Sequence, residues 1–511
     1  MTTSHSWKIG WAETDITPQK PVSVAGNFNL RISEGVADPI YATVWALEME
    51  PEQAVFVSCD ILSIPDDLRD DVRARLAGNE AGLDPMKVIL HATHTHQAPE
   101  VHVRYSLMGN TSAVGNGVEL HEISPDIMPV EAYVEWLAER IAETVMRAWT
   151  SRSAGGLAFG LGFAVIGRNR RWVDTNGQST MHGLDAATHD RFRYIEGYED
   201  HSLNVMATYD ADGKLTGLIL NLACTAQTPG NTQPYHISAD HWCDTRSELR
   251  RRFGEHLFIL PQCSPAGEQT AHEQFDKQAE ARMRRLKGRT KRQEIAHTIA
   301  NTVEDLLPWI GKEIDNGSTL RHHVETVDLP ANRLTEEEVR AAVQEADLWL
   351  DKLKQEQAKL ADQPELRQAP RWYNSLSIAA RREQWLRKVA VRHEQRKQQP
   401  SLPSEIHVLR IGEALFASVP FEYYLDFGVQ IKMRSPATQN FLIQLAGDGT
   451  YVPSERSIAG GGYGSTAPSN PIGHEGGQQL AEYVVATMRS VWASGKNHEA
   501  AGGEMKHGTT K

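Results

Sequence analysis

Val88-Ile-Leu-His-Ala-Thr-His-Thr-His-Gln-Ala-Pro-Glu100 carries an apolar strand straight into three histidines within six residues. If extended geometry persists past the strand, His94 and His96 face the same side, because side chains alternate with period two. One of them could then ligate a metal while the other reaches substrate, although solvated loop histidines give the same pattern. His91 reads as a structural strand-end residue. Outward from this stretch, short apolar runs at 54–57, 215–222 and 257–260 alternate with amphipathic segments at 65–76, 130–149 and 240–253, the last stopped by Gly254. That cadence predicts an α/β protein built of mixed α and β layers.

With 511 residues, 40% of them apolar, the chain can bury a large core, and its length suits two lobes or one large domain with an insertion. Sixty-six acidic residues against 53 basic give a net charge of −13, which disfavours nucleic acid or an anionic membrane as partner. A small polar substrate fits better. Residues 1–18 lack the features of a secretory signal, and no apolar run approaches the roughly 20 residues of a membrane span. A soluble, cytoplasmic, bacterial protein is expected. Cys59, Cys224, Cys243 and Cys263 form no CxxC pair and read as buried thiols.

Between about 334 and 400 charge density rises and glycine disappears. Thr335-Glu-Glu-Glu338 fits a capping box, and apolar residues then recur at helical steps. Pro364 and Pro370 interrupt the pattern before helix resumes through 379–396. Residues 331–400 are therefore expected to form a helical hairpin inserted in a body of residues 1–330 and 401–493. The expected role of the hairpin is packing on the body or on a second subunit, making a homo-oligomer, rather than a lid. Strand signals return at 406–411, 414–419 and 441–445. A glycine-rich stretch at 460–464 and a helix at 477–492 follow, with a disordered tail from 494 to 511.

Gly10-Trp-Ala-Glu-Thr-Asp-Ile-Thr-Pro18, Val57-Ser-Cys-Asp60 and Ala92-Thr-His-Thr-His96 resemble, in this order, blocks of the neutral/alkaline ceramidase family. So do Gly167-Arg-Asn-Arg-Arg171, Asn221-Leu-Ala-Cys224, Ile237-Ser-Ala-Asp240, Ser264-Pro-Ala-Gly-Glu268, Val419-Pro-Phe-Glu422 and Gly449-Thr-Tyr-Val-Pro-Ser454. The resemblance implies a catalytic domain of zinc-amidase type without the family's C-terminal immunoglobulin-like domain. It implies His94, Glu422 and Tyr451 as zinc ligands, with His96, Arg170 and Tyr463 as groups that hold substrate or stabilise an oxyanion. Zinc accepts imidazole and carboxylate ligands from distant segments and keeps a position for water.

Thr225 stands where the family has its second histidine ligand, and a neutral hydroxyl is a poor substitute for imidazole. Three outcomes stay open: His236 or His241 supplies the ligand, His96 swings in, or metal binds weakly or not at all. Thr270 replaces a family serine and, with Thr225 and Gln227, is expected to touch substrate. Glu268 is a candidate acid or base. A metal-dependent hydrolase of a soluble amide or related small polar substrate is the expected function. The alternatives are a glycosidase using carboxylates such as Glu422 and Glu268, and a degenerate member that binds a ligand without turnover. Asp60 and Asp240 read equally as partners of the histidines or as structural acids. His102, His121, His182 and His189 are expected to be solvated or satisfied.

Overall fold

The computed structural model describes residues 6–102, 123–182, 184, 188–230 and 232–500, the last six of these as backbone only. Two sheets form its centre. The larger has eight strands in the order Phe258–Cys263, Leu215–Leu222, Ser202–Asp210, Ser153–Phe163, Trp7–Asp15, Tyr41–Met49, Glu52–Cys59 and Val88–Ala92. Its interior pairings are antiparallel, but each edge ends in a parallel pair: Glu52–Cys59 with Val88–Ala92, and Leu215–Leu222 with Phe258–Cys263. The smaller sheet has the order Leu320–Pro330, Ser401–Ile411, Ala414–Ser418, Gln439–Ile443, and its last pair is also parallel.

The sheets face each other across an aromatic core. Trp45 stacks on Phe56 (5.2 Å between centroids), Phe56 meets Phe416 (5.4 Å), and Phe416 stacks on Phe441 (4.4 Å). The other face of the large sheet is covered by the helices Asp66–Leu76, Val130–Thr150, His241–Phe253 and Lys291–Ile310. The other face of the small sheet is covered by Leu425–Arg434 and Gly473–Ala500. The result is four layers, helices outside and two sheets within, as the predicted mixture of α and β layers requires.

Strand Ser153–Phe163 carries Gly155, Gly156, Gly160 and Gly162 and so reads poorly as a strand. The glycines are a packing device. A Cβ at Gly160 would lie 2.5 Å from Ile310 and one at Gly162 2.3 Å from Thr302, so helix Lys291–Ile310 sits directly on the strand.

Residues 331–400 leave and re-enter the small sheet at one point, because Leu320–Pro330 pairs with Ser401–Ile411 from Leu320↔Ile411 to Pro330↔Ser401. Between them run the helices Glu336–Asp362 and Asn374–Arg396. The first opens on the predicted capping box: Glu338 N donates to Thr335 Oγ1 (3.1 Å) and Thr335 N to Glu338 Oε2 (2.8 Å). The last helix runs to Ala500, beyond the expected start of a tail, and residues 501–511 lie outside the described residues, as does His121. Among the described residues no helix is long and apolar enough to cross a membrane.

Candidate active site

The three parallel strand pairs of the two large sheets point their carboxyl ends at one place, where an α/β sheet offers a crevice. The loops that follow are laced by backbone bonds: Ala92 N to Leu445 O (3.2 Å), Ala226 N to Thr93 O (3.1 Å), Gln444 N to Cys263 O (2.9 Å) and Gly267 N to Tyr423 O (3.0 Å). His94 and His96 follow one strand, Thr225 and Gln227 the second, Glu268 the third and Glu422 the fourth. Glu422 and Tyr451 are then fixed side by side, as direct partners in a two-stranded parallel ladder.

The strand ends at Ala92, so the extended geometry expected of His94 and His96 does not persist. His94 is in the left-handed region with φ 65°, a conformation that costs a non-glycine residue about 1 kcal/mol or more. The turn still brings the two rings within 4.9 Å, crossed at 76°. His94 Nδ1 lies 2.8 Å from Leu62 O. A carbonyl only accepts, so Nδ1 carries the hydrogen and, in the neutral ring, Nε2 presents a lone pair. That lone pair faces Glu422 Oε2 at 3.5 Å, and Oε2 is buried with no hydrogen-bond partner.

His96 has the opposite tautomer. Arg170 Nη1 donates to Gln227 Oε1 (3.4 Å), which turns the Gln227 amide nitrogen toward His96 Nδ1 (3.4 Å). Arginine has no acceptor atom, so Nδ1 of His96 must accept and Nε2 carries the hydrogen. Burial, with Arg31 and Arg170 nearby, holds its pKa well below the ordinary imidazole value, so the ring is neutral. Its Nε2 is buried and unpartnered, a donor waiting for an acceptor. Gly26 makes room for this ring: its φ is +97°, and a Cβ would stand 2.6 Å from His96 Nδ1.

Arg170 is itself buried and donates to Gly267 O (2.9 Å) and to the Tyr451 hydroxyl (3.2 Å). Burial and the Glu422 carboxylate push the Tyr451 phenol well above its usual pKa, against the pull of Arg170. Tyr463 closes the group, its ring 5.6 Å from that of Tyr451. Six of the predicted residues (His94, His96, Arg170, Glu422, Tyr451 and Tyr463) therefore converge, and Gln227 ties two of them together.

Other predicted residues are placed elsewhere. His236 lies in a two-residue strand with Gly35, its ring packed against that glycine, and it does not line the cavity beside His94. His241 is held by Asp240 Oδ1 at 3.1 Å. Glu268 turns both carboxylate oxygens onto Leu425 N (3.0 Å each), at the start of helix Leu425–Arg434, and burial pushes its pKa up to about 8. It thus caps the start of that helix and does not line the cavity beside Glu422. Thr270 gives its hydroxyl to a 2.7 Å bond with His272 Nδ1 instead of lining that cavity. Thr225 is buried beside Thr93 with an unpartnered hydroxyl. Asp60 pairs with Arg246 (2.7 and 3.1 Å) and touches no histidine, and Asp240 caps the helix His241–Phe253.

A cavity of about 80 Å³ opens beside His94 and Glu422. Its walls include three residues that no sequence motif pointed to: His102, whose Nε2 lies 3.0 Å from Asp448 Oδ1, Asp448 itself, and Trp385 of the hairpin. The hairpin thus has a face on the site as well as on the body.

The donor set suits a divalent cation. Two tetrahedral ligands about 2.1 Å from one zinc stand about 3.4 Å apart, close to the His94–Glu422 separation of 3.5 Å. A bare imidazole nitrogen facing a bare carboxylate oxygen repels unless a proton or a cation lies between. Tyr451 is the third donor at hand. Among the described residues no cluster of three or more His, Cys, Asp or Glu side chains is arranged as a metal site, so the set depends on the phenol.

No protein-family model matches the chain, and neither does any curated protein sequence. Solved structures do. The neutral ceramidase from Pseudomonas aeruginosa superposes with a TM-score of 0.63 at 17% identity, over 96% of this chain and 75% of its own. A ceramidase complexed with C2 superposes with a TM-score of 0.63 at 16% identity, over 95% of this chain and 76% of its own. The four-layer arrangement is thus the neutral ceramidase fold.

Proposed function

We propose that the protein is a zinc-dependent hydrolase of a small polar amide. A single observation carries this reading: Glu422 Oε2, buried and without a hydrogen-bond partner, faces His94 Nε2 at 3.5 Å. Those two groups and the Tyr451 oxygen would hold the ion. Bound there, zinc would supply an acidified water and polarise the scissile carbonyl.

The chain's own residues do the rest. Arg170 donates to the Tyr451 oxygen, and a positive charge there favours the phenolate over the phenol. His96, neutral and with hydrogen on Nε2, donates to an oxygen that gains negative charge as the amide carbonyl is attacked. Gln227 keeps His96 in that tautomer and Arg170 in place. Tyr463, 41% exposed, stands at the solvent side of the group, where it can hold the substrate. Thr225 adds no ligand of imidazole strength, so the ion is held by three groups and more weakly than by four. With this function we propose a body of residues 1–330 and 401–493, an insertion at 331–400, and work on a soluble substrate in the cytoplasm.

The test is amide hydrolysis by protein stripped of metal and reloaded with zinc, read as ammonia release from primary amides. Activity is expected to appear with zinc and to vanish in His94→Ala and Tyr451→Phe. Full activity in protein shown to be metal-free would overturn the proposal.

A further inference from the structure

One wall of the candidate cavity comes from outside the body of the fold. Trp385, on helix Asn374–Arg396, lines it together with Glu422. The Trp385 ring meets Phe28 edge-on at 5.4 Å and lies 6.1 Å from Tyr463. Arg382 stacks on the Phe28 ring at 4.5 Å.

Its helix is pinned along its length. Ser377 Oγ accepts from Leu30 N (3.0 Å), and Arg381 donates to Glu100 Oε1 (2.6 Å) and Asn27 O (2.9 Å). Arg392 donates to Ala467 O. Pins on both sides of residue 385 hold the helix in place, and the contacts with Phe28 and Tyr463 hold the indole on it. Leu62 and Leu445 also line the cavity, but most of the remaining wall is polar, with Ser63 Oγ 3.5 Å and Asp448 Oδ1 3.0 Å from His102 Nε2. A hydrocarbon chain gains about fourfold in affinity per methylene where apolar walls receive it. Two leucines in a cavity of about 80 Å³, closed on one side by an indole and faced on another by an imidazole–carboxylate pair, offer no such channel.

On the hydrolase reading above, we propose that the inserted hairpin sets the substrate class: Trp385, clamped by Phe28 and Tyr463, blocks the cavity to long alkyl chains, and the His102–Asp448 pair selects a compact amide bearing a hydroxyl or similar polar group. Trp385 is then the specificity-determining residue for size, and Asp448 the one for polarity.

Binding of glycolamide, butanamide and octanamide, read by ligand-observed NMR, tests this without turnover. The wild type is expected to bind glycolamide and butanamide and to exclude octanamide. Trp385→Ala is expected to bind octanamide at least about tenfold more tightly than the wild type does, a shift of the size one pocket contact controls. Asp448→Ala is expected to weaken glycolamide and leave butanamide unchanged. Octanamide bound by the wild type more tightly than butanamide would overturn the proposal. So would a folded Trp385→Ala protein with an unchanged chain-length ratio, or an Asp448→Ala protein that keeps its grip on glycolamide. Should Trp385→Ala fail to fold, Phe28→Ala removes the prop and must move the ratio in the same direction. Binding that follows these rules with no ammonia released counts against the hydrolase reading alone.

Discussion

Glu422→Gln should abolish stabilisation by zinc while leaving the metal-free protein intact. In the wild type Glu422 Oε2 has no hydrogen-bond partner and looks across 3.5 Å at His94 Nε2. Glutamine keeps the shape and removes the anionic oxygen that a zinc ion needs. Unfolding entropy near 60 °C is about 2.1 cal/mol/K per residue, so a chain of 511 residues has about 1 kcal/mol/K. Zinc at a hundred times its Kd stabilises the native state by about 2.7 kcal/mol. The wild-type Tm should therefore rise by about 2 to 3 °C. Differential scanning fluorimetry on chelator-treated protein, titrated with zinc, reads this directly. The Glu422→Gln variant should start at least as stable, because a buried carboxylate oxygen without a hydrogen-bond partner is gone, and should not respond. A wild-type Tm indifferent to zinc would refute the reasoning, and so would an equal response in both proteins.

Burial lifts Glu268 to about 8, against about 4.3 in an unfolded chain. Between those values the native state keeps a proton that the unfolded state has released, so the stability from this site is present at pH 5 and is lost as pH rises toward 8. Glu268→Gln should flatten the fall of Tm across that window, and an unchanged profile would refute the capping role. Arg246→Met leaves Asp60 charged, buried and unpaired, and should cost about 3–5 kcal/mol in a denaturant melt. Asp60→Asn together with Arg246→Met should recover part of the loss, since the uncompensated charge is then gone. Gln227→Leu breaks the bridge from Arg170 to His96, and kcat for amide hydrolysis should fall about ten- to a hundredfold with little change in KM.

Local chemistry was legible where one stretch contains the whole signal. The capping box at Thr335, the N-cap at Asp240, the strand at 88–90 and the helices at 65–76 and 130–149 each depend on neighbours within a turn or two. Strand Ser153–Phe163 was not legible, because Gly160 and Gly162 are set by helix Lys291–Ile310, more than a hundred residues later, and Gly156 by Ile314 just beyond it. Strand Tyr41–Met49 was hidden for a related reason. It lies between strands in the middle of a sheet covered on both faces, so it is buried along nearly its whole length and shows no alternation.

For the site, sequence alone determined the residue types and the order in which they come: two histidines after a strand, an arginine, a glutamate after a Val-Pro-Phe turn, and two tyrosines twelve apart. Tertiary structure decided which of them meet and in which state. The tautomers of His94 and His96 follow from Leu62 O and from Gln227, neither a neighbour in sequence, and Glu422 and Tyr451 become partners through a two-residue ladder. Glu268 and His236, equally plausible by type, are carried to a helix start and to a strand beside Gly35. Trp385 enters from a hairpin that carries none of the blocks by which the site was read. A side chain's chemistry is local, but its protonation, its partners and the cavity it faces are set by atoms that only folding brings near.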